Sequence, residues 1–431
     1  MAGSSRRTLP RAWCAVLVPA LGLLGCATSP LPGTAGIASS RAATPGVSAS
    51  ASGPSPTFPA PGATTGTPTP ALTPTAPAAS ATPAPSSAAL RTVTVALSGD
   101  LLWHNSLWAA AARDRARTGK PGEFDFDPMF AAVKPIVAGA DLAVCHSEVP
   151  FAPPGGPYTG YPLFAAPPAI AGWIASMGWD VCTTASNHAL DQGFQGLVRT
   201  KDLYDQAGVR TVGTFRTEAE RATPVIVTTA QGVRIAVVTG TYSLNGIPLP
   251  SGRPWAVSLL DTADLLAQAK RAKEAGADIV LAEIHGGDEY VVRPSRQQVD
   301  LATALTASPY VDLVFGEHTH VVQPITRVNG KWVVYGLGNM IGQHLTEVVR
   351  AYEGITARFT FTERPGGGFE VSKAEYLPTY WNHNSSGPVR VVLVTQAIAA
   401  GTGDVARYRQ ALDATRRAVS LWGVTPGLVE S

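Results

Sequence analysis

The sequence predicts an α/β fold, and three observations carry that prediction. Short apolar runs rich in β-branched residues recur along the chain, among them Val93 to Leu97, Ile279 to Ala282 and Val311 to Phe315. Amphipathic segments lie between such runs, for example Phe194 to Gln206 and Thr262 to Glu274, whose Leu and Ala positions recur at helical spacing and which stop at Gly208 and Gly276. Six of the runs end in Asp, Glu, Asn or His, the pattern expected where loops from several strands converge on a ligand at the carboxyl edge of a sheet.

The chain has 431 residues, but its first fifth is unsuited to a packed core. Arg6, Arg7 and Arg11 precede an apolar stretch from Ala12 to Leu24 that is short for a membrane span and has the shape of a signal peptide. It closes on Leu23, Leu24, Gly25 and Cys26, which resembles a bacterial lipobox. The expectation is an exported lipoprotein on the outer face of the cytoplasmic membrane, held through lipidated Cys26. The paired arginines also resemble a twin-arginine export signal, and an uncleaved amino-terminal anchor is the alternative. Residues 27–90 are almost wholly Ala, Pro, Thr, Ser and Gly and read as a disordered tether. Residues 91–385 then form the expected catalytic-type domain, and 386–431 a carboxyl-terminal strand and helix packing on it.

Charge excludes one class of partner. With 33 basic and 31 acidic residues the net charge is +2, so no long-range positive field favours nucleic acid. Of four cysteines, Cys14 and Cys26 belong to the leader, which leaves Cys145 and Cys182. In an exported setting they can form a disulfide, and as buried thiols they pack equally well.

Chemistry gathers at the strand ends. Val93 to Leu97 leads into Asp100, Leu142 to Cys145 into His146 and Glu148, and Asp180 to Thr184 into Asn187, His188 and Asp191. Ile279 to Ala282 leads into Glu283 and His285, Val311 to Phe315 into Glu317, His318 and His320, and Trp332 to Tyr335 into Asn339. Each residue alone has a plain structural use as a cap, a turn or a core group. The pair His318 and His320 says more, because alternate residues of an extended segment point the same way and two imidazoles can meet neighbouring ions. Carboxylates, an amide oxygen and imidazoles together suit Zn, Mn or Fe better than an all-oxygen Ca or Mg cage.

The ordered set Gly99-Asp100, Ser147-Glu148, Ser186-Asn187-His188-x-x-Asp191-x-Gly193, His285-Gly286-x-x-Glu289-Tyr290, Gly316-x-His318-x-His320-Val321-Val322-Gln323 and Tyr335-x-Leu337-Gly338-Asn339 resembles the CapA family. These are capsule or poly-γ-glutamate synthesis proteins, a branch of the calcineurin-like metallophosphatase superfamily. The resemblance covers roughly residues 92–345. It implies a four-layer α/β sandwich, two mixed β-sheets flanked by helices, with two divalent transition metals (Mn, Zn or Fe) at one edge. By position it places Asp100 and His320 on the first metal, Glu148 between the two, and Asn187, His285 and His318 on the second. His188 takes the place of the catalytic histidine, with Asp191 orienting its ring.

The chain departs from the pattern at Leu102, where the superfamily carries a histidine two residues after its Asp. The first metal is then short of a ligand and weakly held, or is completed by His104. Tyr290 and Arg293 are candidates for the pocket mouth, and Ile355 to Tyr376 reads as strands of the second sheet. The implied function is a metal-dependent hydrolase acting on poly-γ-glutamate, a related wall or capsule polymer or a phosphoester. The alternative is a non-catalytic accessory protein that binds an anionic polymer during its synthesis.

Overall fold

In the computed structural model, residues 89–382 and 387–431 are described. The strands are β1 (Thr92–Leu101), β2 (Leu142–Ser147), β3 (Val181–Thr183), β4 (Arg210–Val212), β5 (Ile226–Thr228), β6 (Arg234–Thr241), β7 (Ile279–His285), β8 (Leu313–Glu317), β9 (Ile325–Val328), β10 (Lys331–Val334), β11 (Asn339–Ile341), β12 (Glu353–Glu363), β13 (Phe369–Trp381), β14 (Val391–Leu393) and β15 (Leu428–Glu430). One sheet runs β14-β13-β12-β1-β2-β3-β4, with β11 beside β1 and β15 beside β13; the other runs β5-β6-β7-β8-β10-β9. Both are mixed. β1 pairs parallel with β2 and antiparallel with β12. In the other sheet β6, β7, β8 and β10 are parallel, while β5 and β9 run against them at the edges.

Alternation along the strands builds the layers. Val93, Val95, Leu97, Leu142 and Val144 of one sheet meet Ile279, Leu281, Leu313 and Phe315 of the other in a dry inter-sheet core. On the outer face of the first sheet the helices Asn105–Thr118 and Ala169–Met177 bury Leu107, Trp108, Ile170, Trp173 and Ile174. On the outer face of the second, helices Thr262–Glu274 and Arg296–Ala307 bury Leu265, Ala269, Leu301 and Leu305. The result is the expected α/β sandwich of two mixed sheets flanked by helices. Helix boundaries follow local chemistry: Asp261 accepts a hydrogen bond from Asp264 N, and Ser295 with Gln298 forms a reciprocal capping box.

Two expectations are corrected here. Ile355 to Tyr376 was assigned to the second sheet, but β12 and β13 extend the first, because β12 pairs directly with the free edge of β1. The membrane partner and the outer-face lipoprotein location are also not upheld. Cys145 and Cys182 are joined to each other, with Cα atoms 4.5 Å apart on neighbouring strands, so neither sulfur is free to carry a lipid. Among the described residues no helix is long and apolar enough to cross a membrane. The signal-like segment with Cys26 and the Ala/Pro-rich stretch lie outside the described residues up to residue 88.

The stripes that form the inter-sheet core turn polar at their carboxyl ends. On β2 the series Leu142, Val144, His146 continues to Glu148; on β7 Ile279 and Leu281 continue to Glu283 and His285; on β8 Leu313 and Phe315 continue to Glu317. Asp100 joins this face through an irregularity in β1. Leu97 pairs with Val144 but Asp100 with His146, so β1 spends three residues where β2 spends two. That one-residue bulge re-aims Asp100 from the outer to the inner face.

Candidate metal centre

Asp100 sits where β1, β2 and β11 meet. Its backbone N–H donates to Gly338 O at 3.0 Å, and this close approach explains Gly99, where a Cβ would stand 1.9 Å from the same oxygen. The Asp100 carboxylate lies 3.0 Å from His320 Nδ1, which is also 3.0 Å from Asn339 Oδ1. Glu148, just beyond β2, points a carboxylate oxygen to within 3.8 Å of His320 Nε2. Asn187 Oδ1 is 2.9 Å from His285 Nε2. The rings of His318 and His320 are 5.9 Å apart, and those of His285 and His318 5.0 Å.

His318 and His320 reach the site differently from the expected extended segment. β8 ends at Glu317, and both histidines are left-handed, with φ of +89° and +56°. Side chains other than glycine adopt this region at a cost, and here the turn aims two imidazoles into one cleft.

Six ligand-type residues fall into two buried groups, Asp100 with His146 and His285, and Glu148 with His318 and His320. Within each group one ligand atom per residue lies within 4.8 Å of the others. Burial pushes the Glu148 carboxyl up to about 7 and the His318 imidazole down to about 3, and it holds His285 well below its usual value. Both Glu148 oxygens, His146 Nε2 and His318 Nδ1 are buried without a hydrogen-bond partner. Among the described residues no Lys or Arg forms an ion pair with Asp100, Glu148, Glu283 or Glu317. Buried imidazoles and desolvated carboxylates with no Lys or Arg paired to them are the donor set that divalent transition metals satisfy. The two buried clusters therefore fit a binuclear centre.

His188 and Asp191 stand beside these groups. His188 Nδ1 is 2.8 Å from Asp191 Oδ2, an oxygen that also accepts from Phe164 N at 2.8 Å. The His188 ring packs edge-on to Phe164 at 4.7 Å. Tyr290 lies at the mouth, 41% exposed, with its ring 6.0 Å from that of His320 and its hydroxyl 3.2 Å from His344 Nδ1.

The remaining candidates are placed less centrally. His104 is buried under Phe164 with Nδ1 3.1 Å from Leu102 O and 3.1 Å from Gln343 N, and it belongs to neither group. Arg293 is exposed and outside both groups. The sequence places His146 at a strand end without a role and gives no role to His344. His146 carries a readable signal, since it stands two residues before Glu148 on one strand and must share its face. His344 carries none. It meets His320 at 4.8 Å between ring centres only because the segment after β11 folds back over the site.

A fold of two stacked mixed sheets, with buried Asp, Glu, Asn and His converging at one edge, defines an α/β protein with a candidate binuclear metal centre. The profile of the family described as "Bacterial capsule synthesis protein PGA_cap" matches residues 94–344, and the chain belongs to that family. It is 30% identical over 169 residues to "PGA biosynthesis protein CapA" of Bacillus subtilis, a stretch covering 39% of this chain and 44% of that protein. It is 29% identical over 190 residues to a Mycobacterium tuberculosis protein named "Probable polyglutamine synthesis accessory protein", covering 42% and 48%. The matched stretch thus spans less than half of each relative. Among solved structures, calcineurin-like phosphoesterase YfkN from Bacillus subtilis is similar at a TM-score of 0.40 and 15% identity, covering 76% of this chain and 99% of that one.

Proposed function

We propose that the chain is a metal-dependent hydrolase acting on poly-γ-glutamate, a related wall or capsule polymer, or a phosphoester. The observation that carries this reading is the meeting of two buried ligand clusters with an oriented imidazole, His188, in one cleft. By the family pattern Asp100 and His320 would hold one metal, Glu148 both, and Asn187, His285 and His318 the other, although in space His285 groups with Asp100, and His320 with Glu148 and His318. When bound, two divalent cations supply charge stabilisation for an ester or amide oxygen and a nucleophile at neutral pH.

The chain's own residues do the rest. The Asp191 carboxylate, 2.8 Å from His188 Nδ1, orients the ring and leaves Nε2 free to take a proton from the attacking water and pass it to a departing oxygen or nitrogen. Asp191 is itself fixed by the Phe164 amide, so the ring is oriented before substrate arrives. Turnover of a p-nitrophenyl phosphate diester and of poly-γ-glutamate with added Mn or Zn tests the reading.

The second reading is a non-catalytic, polymer-binding accessory role. It is favoured by the printed name of the mycobacterial relative and by Leu102 in place of an expected ligand. Polymer binding without turnover under any metal would select it.

A further inference from the structure

We propose that His146 is a ligand of the metal that Asp100 holds, supplying the imidazole that position 102 lacks, with Glu283 as its positioning residue. The inference rests on the binuclear reading above and changes the composition of its first site.

Position 102 cannot serve. Leu102 is 4% exposed and packs in the cluster on the outer face of the first sheet, away from the inter-sheet side where Asp100 points. His104 is turned to backbone groups. His146, by contrast, is the in-register neighbour of Asp100 across the β1–β2 ladder, and residues paired this way project to one face. Ligand atoms of Asp100, His146 and His285 all lie within 4.8 Å of one another, and all three residues are fully buried.

The two nitrogens of His146 are treated differently. Nδ1 is 2.9 Å from Thr183 Oγ1 and 2.8 Å from a Glu283 carboxylate oxygen, which comes from the opposite sheet. Glu283 is held in turn by the Thr239 hydroxyl. Nε2 is buried and has no hydrogen-bond partner. A histidine kept only for packing would have both nitrogens satisfied. One nitrogen 2.8 Å from a buried carboxylate and the other buried without a partner is the arrangement of a metal-binding imidazole and its outer-shell acid. The ring also stacks on His285 at 4.4 Å, and this contact fixes the plane of the imidazole.

The test is metal titration of the full chain, stripped and reloaded with Co(II) or Mn(II). Stoichiometry is read by elemental analysis, affinity by calorimetry and ligand environment by the Co(II) visible spectrum. Wild type is expected to bind two equivalents. H146Q should bind one as before and the other about 100-fold more weakly, with an altered Co(II) spectrum, and E283Q should weaken the same equivalent about tenfold. Near-UV circular dichroism of the metal-free proteins checks folding; if H146Q does not fold, E283Q carries the test, because it keeps side-chain shape. Two equivalents at unchanged affinity in both variants would overturn the role of His146 while leaving the binuclear reading intact. Loss of one equivalent in H104Q with both kept in H146Q would also overturn it. Fewer than two equivalents in wild type would sink the binuclear reading itself.

Discussion

Reducing the Cys145–Cys182 disulfide should destabilise the protein by about 4 kcal/mol. The two cysteines are 37 positions apart, so the bond closes a loop of that order in the unfolded chain. Loop-closure entropy for such a length is on the order of 13 cal/mol/K, or about 4 kcal/mol at 25 °C. In the folded state the cross-link changes little, because β2 and β3 are already paired in register at these residues. The assay is urea unfolding of the oxidised protein, of the same protein under reductant, and of C145A/C182A, followed by far-UV circular dichroism. The reduced form should have the lower midpoint and a somewhat steeper slope, because its unfolded chain is less compact. A difference below about 1 kcal/mol would refute the reasoning, since an unfolded chain gaining that loop's freedom must register it. The double alanine variant should lose somewhat more, because both sulfurs are buried in the core cluster beside Met177 and Trp179.

Three further outcomes are expected. H188A should keep its metals and lose about 10²–10⁴-fold in turnover, the usual contribution of a positioned acid or base; loss of metal in this variant would make His188 a ligand instead. Burial would raise the Glu375 carboxyl, but hydrogen bonds from Arg358, Lys373 and Ser431 outweigh it and hold the group at about 2. Because the folded value is the lower one, the stabilisation is complete above the unfolded value near 4.5 and disappears as pH falls through 2; it amounts to about 2 kcal/mol after screening at Lys373. The stability gap between wild type and E375Q should therefore close between pH 5 and pH 2 in acid titrations followed by circular dichroism, and a gap independent of pH would contradict the assignment. G99A should cost about 3 kcal/mol in urea unfolding, because its Cβ would meet Gly338 O at 1.9 Å and must push β11 from β1; a neutral substitution would show that this contact is loose.

Much of the site was legible in the sequence because strand periodicity is local. Alternation along Leu142 to Glu148, Ile279 to His285 and Leu313 to Glu317 puts apolar and ligand-type side chains on one face whatever the rest of the chain does. The α/β class, the helices after Asn187 and from Thr262, and the sets around Asp100, Glu148, Asn187, His285 and His318 follow from that periodicity and from family motifs.

What the tertiary structure decided is whatever depends on which strands become neighbours. The β1 bulge that turns Asp100 inward exists only against β2, and the left-handed backbone at His318 and His320 departs from the alternation of an extended segment. The placing of β12 and β13 in the first sheet is a choice of edge, on which alternation is silent. The meeting of Cys145 with Cys182 and of His146 with Glu283 joins residues 37 and 137 positions apart. A sequence fixes which face a side chain takes on its own strand, but only the stacking of two sheets determines what that face will meet.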